Sequence, residues 1–231
     1  MTKQASELNP VLFVVTSCAV KGATGIPTGF NLAEVTHPLG KLQEAGIHVE
    51  LASIQGGAAP LDGLEDMKDP VIARYWADAD FRHAIANTLR IDDVDPLRYS
   101  AIFFAGGHGT MWDFPDSKAA QKAIREIDAA GGIVSAVCHG PAALVNARRA
   151  DGSLLVAGKR VAAFTNGEEE EVQSTRVVPF LLASMLNERG AHHQNAANWA
   201  NNVVVDGRLI TGQNPQSAAS LGEALRDALL A

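Results

Sequence analysis

Two hydrophobic rhythms run along this chain. Val11–Thr16 is apolar through Val15 and bounded by Asn9-Pro10 and Ser17, a length that suits a buried strand better than a helix. From about Asn31 the period changes. Leu32, Val35, Leu39 and Leu42 recur three and four residues apart, and Gly46 stands where a C-cap belongs, so the spacing predicts a helix. Ile47–Ile54 alternates as a second strand, and Tyr99–Ala105 predicts a third that stops at Gly106-Gly107. Lys118–Ala130 reads as a helix between Ser117 as N-cap and Gly131-Gly132. Ile133–Val137 predicts a fourth strand, running into Cys138-His139-Gly140-Pro141 and a further helix. Beyond it come a fifth strand over Arg160–Phe164 and a long helix over Glu168–Arg189, interrupted near Pro179. A pair of strands, Val203–Asp206 and Arg208–Thr211, turns about Gly207, and Ser217–Leu230 closes the chain as a helix.

Strands and helices in alternation predict an α/β fold, with a mainly parallel sheet covered by helices on both faces. Ligands bind such sheets at the carboxyl ends of the strands. Attention therefore falls on Ser17/Cys18, Gly106–Gly109, Cys138-His139 and Thr165–Glu170. Residues 56–98 break the rhythm with Gly-Gly, prolines, an acidic stretch and one helical piece, Asp80–Leu89. That is too long for a bare loop and reads either as a small cap or as a solvated insertion. The expectation is a single domain, 1–231, with a cap-like insertion at about 56–98.

Composition narrows the function. With 47% hydrophobic and 19% charged residues the chain can bury a sizeable core. Acidic residues outnumber basic ones 26 to 19, a net charge of −7 without a basic cluster, which argues against nucleic acid or an anionic membrane as partner. Two cysteines, Cys18 and Cys138, make no disulfide framework and fit a reducing compartment. The stretch Met1–Pro10 is polar, without the order of a secretory signal, and no apolar run approaches membrane-spanning length, so the expected location is the cytoplasm. His37, His48, His83, His192 and His193 show no metal-ligand spacing and HExxH is absent, so no essential metal or other cofactor is expected.

Cys138 draws interest through its setting, since a lone cysteine after a strand is more often packing. Here Gly140-Pro141 opens a helix directly after the strand, so the thiol would stand on a sharp strand-to-helix turn near the positive end of that helix. That position and the adjacent His139 are both expected to lower the thiol pKa. His139 itself is either a partner for the thiol across an irregular turn or a helix-start residue bonded to a carbonyl. Ala105-Gly106-Gly107-His108-Gly109-Thr110 lets backbone N–H groups approach a ligand, as an oxyanion hole requires, or is an ordinary turn. No phosphate-binding glycine motif is present. On the residues alone Glu34 reads as a solvated first-turn carboxylate, with a desolvated proton carrier as the sharper alternative. The run Glu168–Glu171 has the same bland reading, behind Thr165 or Asn166 as cap.

Taken together, Ala136-Val137-Cys138-His139-Gly140-Pro141-Ala142 and Ala105-Gly106-Gly107-His108-Gly109-Thr110 with Asp113-Phe114-Pro115 resemble the ThiJ/PfpI superfamily. Thr28-Gly29-Phe30, Glu34, His37-Pro38 and the stretch Asp206–Pro215 resemble its branch named for the thirty-one-kilodalton heat-shock chaperone. The resemblance spans the first strand to the last helix. It implies a flavodoxin-like sandwich, a homodimer, and a glutathione-independent glyoxalase (glyoxalase III) acting on a small aldehyde, methylglyoxal, without metal. Carried onto this chain it makes Cys138 the nucleophile, His139 its base partner, Glu34 the buried acid at the thiol and Glu169 the orienting carboxylate, with Glu168 the neighbouring choice. The oxyanion donors would be the N–H groups of Gly107 and His139, with His108 and Trp112 on the substrate side. Phe30 and Trp112 fall at pocket positions that vary within the branch. The same residues would also serve a cysteine-dependent deglycase, amidase or peptidase, and the branch includes chaperones and redox sensors.

Overall fold

The computed structural model describes residues 4, 5 and 8–231. Residues 1–3, 6 and 7, part of the polar stretch read above for a secretory signal, lie outside the described residues. In chain order the strands are β1 (Val11–Val15), β2 (Phe30–Asn31), β3 (Val49–Ser53), β4 (Leu61–Asp62), β5 (Leu89–Arg90) and β6 (Ala101–Phe104). They continue with β7 (Ile133–Val137), β8 (Arg160–Val161), β9 (His192–His193), β10 (Val203–Asp206) and β11 (Leu209–Gly212). The helices are α1 (Leu32–Glu44), α2 (Pro70–Ala77), α3 (Ala79–Ala86), α4 (Thr110–Asp113), α5 (Lys118–Ala129), α6 (Asn166–Glu171), α7 (Leu182–Glu188) and α8 (Ala218–Leu230).

Seven strands form the central sheet in the order β10-β11-β7-β6-β1-β3-β5, parallel except for β10 against β11. The five residues of β1 are fully buried, as a strand covered on both faces must be. Its side chains divide by parity. Leu12 and Val14 join Ile102, Phe104 and Val134 under α5, while Val11, Phe13 and Val15 join Phe103 and Ile133 under α1 and α8. Register puts Phe13 beside Phe103, with ring centroids 4.5 Å apart. α1 and α8 cross closely enough that a Cβ on Gly222 would come within 2.6 Å of Pro38 Cα. The sheet thus brings the carboxyl ends of β1, β6 and β7 to one edge.

Three predicted elements differ. Arg160–Phe164 supplies only the two residues of β8, which pairs with β9 outside the central sheet, because the Ala162 N–H bonds to the Thr211 hydroxyl and Phe164 N–H to the Cys138 carbonyl instead of to a ladder. The long helix over 168–189 is two short ones, α6 and α7, since Pro179 has no N–H to extend a helix and the chain turns at Gln173, whose φ is 56°. The helix after Pro141 is a 3-10 segment, Gly140–Leu144. Within 56–98, β4 pairs with β2, two helices form where one was expected, and β5 closes the sheet edge beside β3. Among the described residues no helix is long and apolar enough to cross a membrane.

Candidate active site

Cys138 follows β7 in the left-handed region, φ 60°, which a side chain with Cβ adopts only when its surroundings hold it there. They do so from two sides. Cys138 N–H donates to the Gly212 carbonyl at 2.9 Å and Phe164 N–H donates to the Cys138 carbonyl at 2.9 Å. The turn throws the thiol out of the sheet and toward the glycines after β6. A Cβ on Gly106 would sit 2.5 Å from Glu34 Oε2 and 2.8 Å from the His139 nitrogen, and one on Gly107 would sit 2.2 Å from the Gly29 carbonyl oxygen. No other residue lets these three segments meet.

Glu34, in the first turn of α1, is fully buried. Its Oε2 accepts the Gly106 N–H at 2.7 Å, while Oε1 has no hydrogen-bond partner of its own. Burial drives its pKa up to about 8 against the opposing pull of the Cys138 and Gly106 hydrogen bonds, with Asp62 adding to the rise. The carboxyl is therefore protonated at neutral pH. Cys138 is also buried, and burial together with the neighbouring Glu34 pushes its thiol up rather than down. This corrects the expectation drawn from the turn and from His139: desolvation outweighs the N–H of His139, which does favour the thiolate. Two adjacent buried acids cannot both ionise, so the pair retains a proton.

His139 Nδ1 stands 3.5 Å from Cys138 Sγ, and its Nε2 meets Glu169 Oε2 at 2.7 Å. With the Nε2 proton bonded to the carboxylate, Nδ1 is left to accept the thiol proton. Glu169 is also bonded, through Oε1, to His108 Nε2 at 2.8 Å. Burial works against the ionised Glu169, yet the hydrogen bonds from His108 and His139 hold its carboxyl down at about 2. Burial and the neighbouring His139 take His108 down to about 4, so it donates as a neutral ring. His108 and Phe164 stack against His139, at centroid separations of 4.2 and 4.3 Å.

Cys138, His139, Glu34, Glu169, His108 and the Gly106-Gly107 turn thus meet at one place. Trp112 stands apart from these bonds, its ring over Gly22, where a Cβ would lie 3.2 Å from Nε1. Phe30 is buried in the core under α1, and Cys18 bonds to the Val20 carbonyl at 3.2 Å. One residue escaped the sequence reading, and one named there as the neighbouring choice to Glu169 has a different place. Phe164 packs on His139, and only its position at the end of an apolar run hinted at it. Glu168 lies in a capping box with Thr165, whose N–H it accepts at 2.9 Å. It also accepts from Trp199 N–H at 2.8 Å, Gln213 Nε2 at 3.0 Å and Asn214 Nδ2 at 2.8 Å, tying two loops to the helix that carries Glu169.

The profile of the DJ-1/PfpI family matches residues 24–228. Glyoxalase 3 of Candida albicans is 32% identical over 209 residues, covering 86% of this chain and 89% of that protein. A solved structure of glyoxalase III from the same organism superposes with a TM-score of 0.87 at 30% identity, over 95% of this chain and 96% of that one. The glutathione-independent glyoxalase hsp3102 of Schizosaccharomyces pombe is 32% identical, covering 89% and 90% of the two chains. Rapid Encystment Protein 24 kDa of Francisella tularensis superposes with a TM-score of 0.93 at 38% identity, over 97% and 100%.

Proposed function

The chain belongs to the DJ-1/PfpI family, and on that premise we propose that it is a glutathione-independent glyoxalase that converts methylglyoxal to lactate on Cys138. The observation that carries this reading is the thiol held between two proton carriers, Glu34 on one side and His139, backed by Glu169, on the other. The names of the Candida and Schizosaccharomyces relatives support it.

In this mechanism the thiol proton passes to His139 Nδ1 as sulfur adds to the aldehyde carbon, giving a hemithioacetal. The backbone N–H groups of Gly107 and His139 hold the charge that develops on the carbonyl oxygen, which takes the proton from His139 and becomes a hydroxyl. His139, neutral again, takes the C1 hydrogen as a proton while Glu34 gives its own proton to the C2 oxygen, forming the enediol; His139 then delivers its proton to C2 as the C1 hydroxyl returns one to Glu34. That leaves a thioester of lactate on Cys138. Water cleaves it, returning the thiol and releasing lactate, so substrate plus one water balances product. The burial of Cys138, 3% exposed as a residue, suits a small substrate. The β4 end of the 56–98 segment pairs with β2, just before α1, and its Asp62 adds to the rise of the Glu34 pKa. The reading carries with it a cytoplasmic homodimer, and light scattering at the mass of one chain would remove the second part.

The test is lactate formation from methylglyoxal by purified protein with a chelator present and glutathione absent. Lactate above the protein-free rate is expected. Its absence, in protein shown by circular dichroism to be folded, overturns the assignment.

A further inference from the structure

Three metal-ligating groups converge beside the thiol. His108 comes from the turn after β6, His139 from the turn after β7 and Glu169 from α6, three separate elements. Their donor atoms all lie within 4.8 Å of one another, with both Nε2 atoms already on one carboxylate. Two imidazoles and a carboxylate are the three-ligand set that zinc accepts with a fourth position left open. A tetrahedral ion with bonds of ~2.0–2.1 Å needs donors roughly 3.4 Å apart, so the two contacts to Glu169, 2.8 and 2.7 Å, must open and any wider separation, none above 4.8 Å, must close as the ion enters. The His108 side chain is 14% exposed, against 1% for His139 and 2% for Glu169, so solvent reaches the three donors on its side.

We propose that His108, His139 and Glu169 form a site for a divalent cation of the zinc class, and that filling it switches the thiol chemistry off. Coordination needs a lone pair on each Nε2. Each ring therefore moves its proton to Nδ1 and binds as the other neutral tautomer, with no net loss of protons. On His139 that proton then occupies the nitrogen 3.5 Å from Cys138 Sγ, the atom that has to accept the thiol proton. The base is consumed by its own tautomer, while the sulfur is not a ligand. The inhibitory half rests on the glyoxalase reading. The site itself does not.

Cobalt(II) serves as the probe, because its visible absorption reports coordination number and ligand type. Titration of the full chain is expected to give one bound ion per chain with four-coordinate bands and no thiolate charge-transfer band. Cys138→Ala should bind equally well, and His108→Ala at least tenfold more weakly. His108→Asn, which keeps a donor toward Glu169, should lose binding too while melting near the wild type, so that a folding defect is not mistaken for a lost ligand. Zinc should displace cobalt, and it should stop turnover until a chelator is added. No binding, binding unchanged in His108→Ala, or a charge-transfer band that vanishes in Cys138→Ala would overturn the site. Turnover unaffected by stoichiometric bound zinc would overturn the switch. A protein without glyoxalase activity would still answer the cobalt titration.

Discussion

Glu34 and Cys138 are two acids placed where neither can easily be charged. Protonated up to about pH 8, Glu34 sits beside the sulfur without adding a repelling charge. The rate should accordingly fall above about pH 8, as the carboxyl ionises beside the thiol. Glu34→Gln should abolish that limb of the profile and lower kcat by about 10²–10⁴, measured by steady-state kinetics from pH 5 to 10. Stability carries the same signature. The folded state keeps a proton that the unfolded chain releases, so between the ordinary value of 4.5 and about 8 the protein loses stability as pH rises. Denaturant melts at pH 5 and pH 9 should show this decline, on the order of a few kcal/mol, and Glu34→Gln should flatten it. Glu169 has the opposite sign: held down at about 2, it stabilises above its ordinary value and loses that contribution as acid protonates it. The motif around Cys138 was legible in the sequence because a strand, a turn and Gly-Pro are local signals. Whether Glu34 is solvated was not, because its burial depends on Gly106, far along the chain.

At the scale of elements, the site depends on how short segments are tied down. α6 is six residues long and could not hold Glu169 by helical cooperativity alone. Glu168 does that work through four accepted hydrogen bonds, three of them on Oε1. Glu168→Gln leaves donors facing an amide in place of an acceptor and should cost about 1–3 kcal/mol in thermal denaturation. It should also lower kcat more than it raises KM, since it moves Glu169 rather than substrate. The α1–α8 crossing gives a prediction remote from the chemistry. Gly222→Ala forces a Cβ against the Pro38 backbone and should destabilise by about 1–3 kcal/mol. Periodicity had joined α6 and α7 into one helix, since Val177–Leu186 is apolar enough to pass for one. What ends α6 is the turn at Gln173 and the long-range pull on Glu168, and neither is written into a local pattern.

Across the whole molecule, alternating strand and helix patterns were enough to anticipate a parallel sheet with both faces covered. The parity of β1, with odd residues under α1 and α8 and even ones under α5, is that pattern realised in three dimensions. Less legible was which apolar runs enter the sheet. The run Val161–Phe164 is apolar like the strands, but Ala162 and Phe164 bond to the Thr211 hydroxyl and the Cys138 carbonyl, so it frames the site instead. The outcome is one sheet edge at which the turn after β6, the turn after β7 and α6 bring His108, Cys138-His139 and Glu169 together. The central claim, that Cys138 forms the covalent intermediate, is tested most directly by the lactate made from methylglyoxal by Cys138→Ala beside the wild type. The account predicts that the variant, folded and melting near the wild type, makes no lactate beyond the protein-free rate. Turnover at the wild-type rate would contradict it and place the chemistry on another residue.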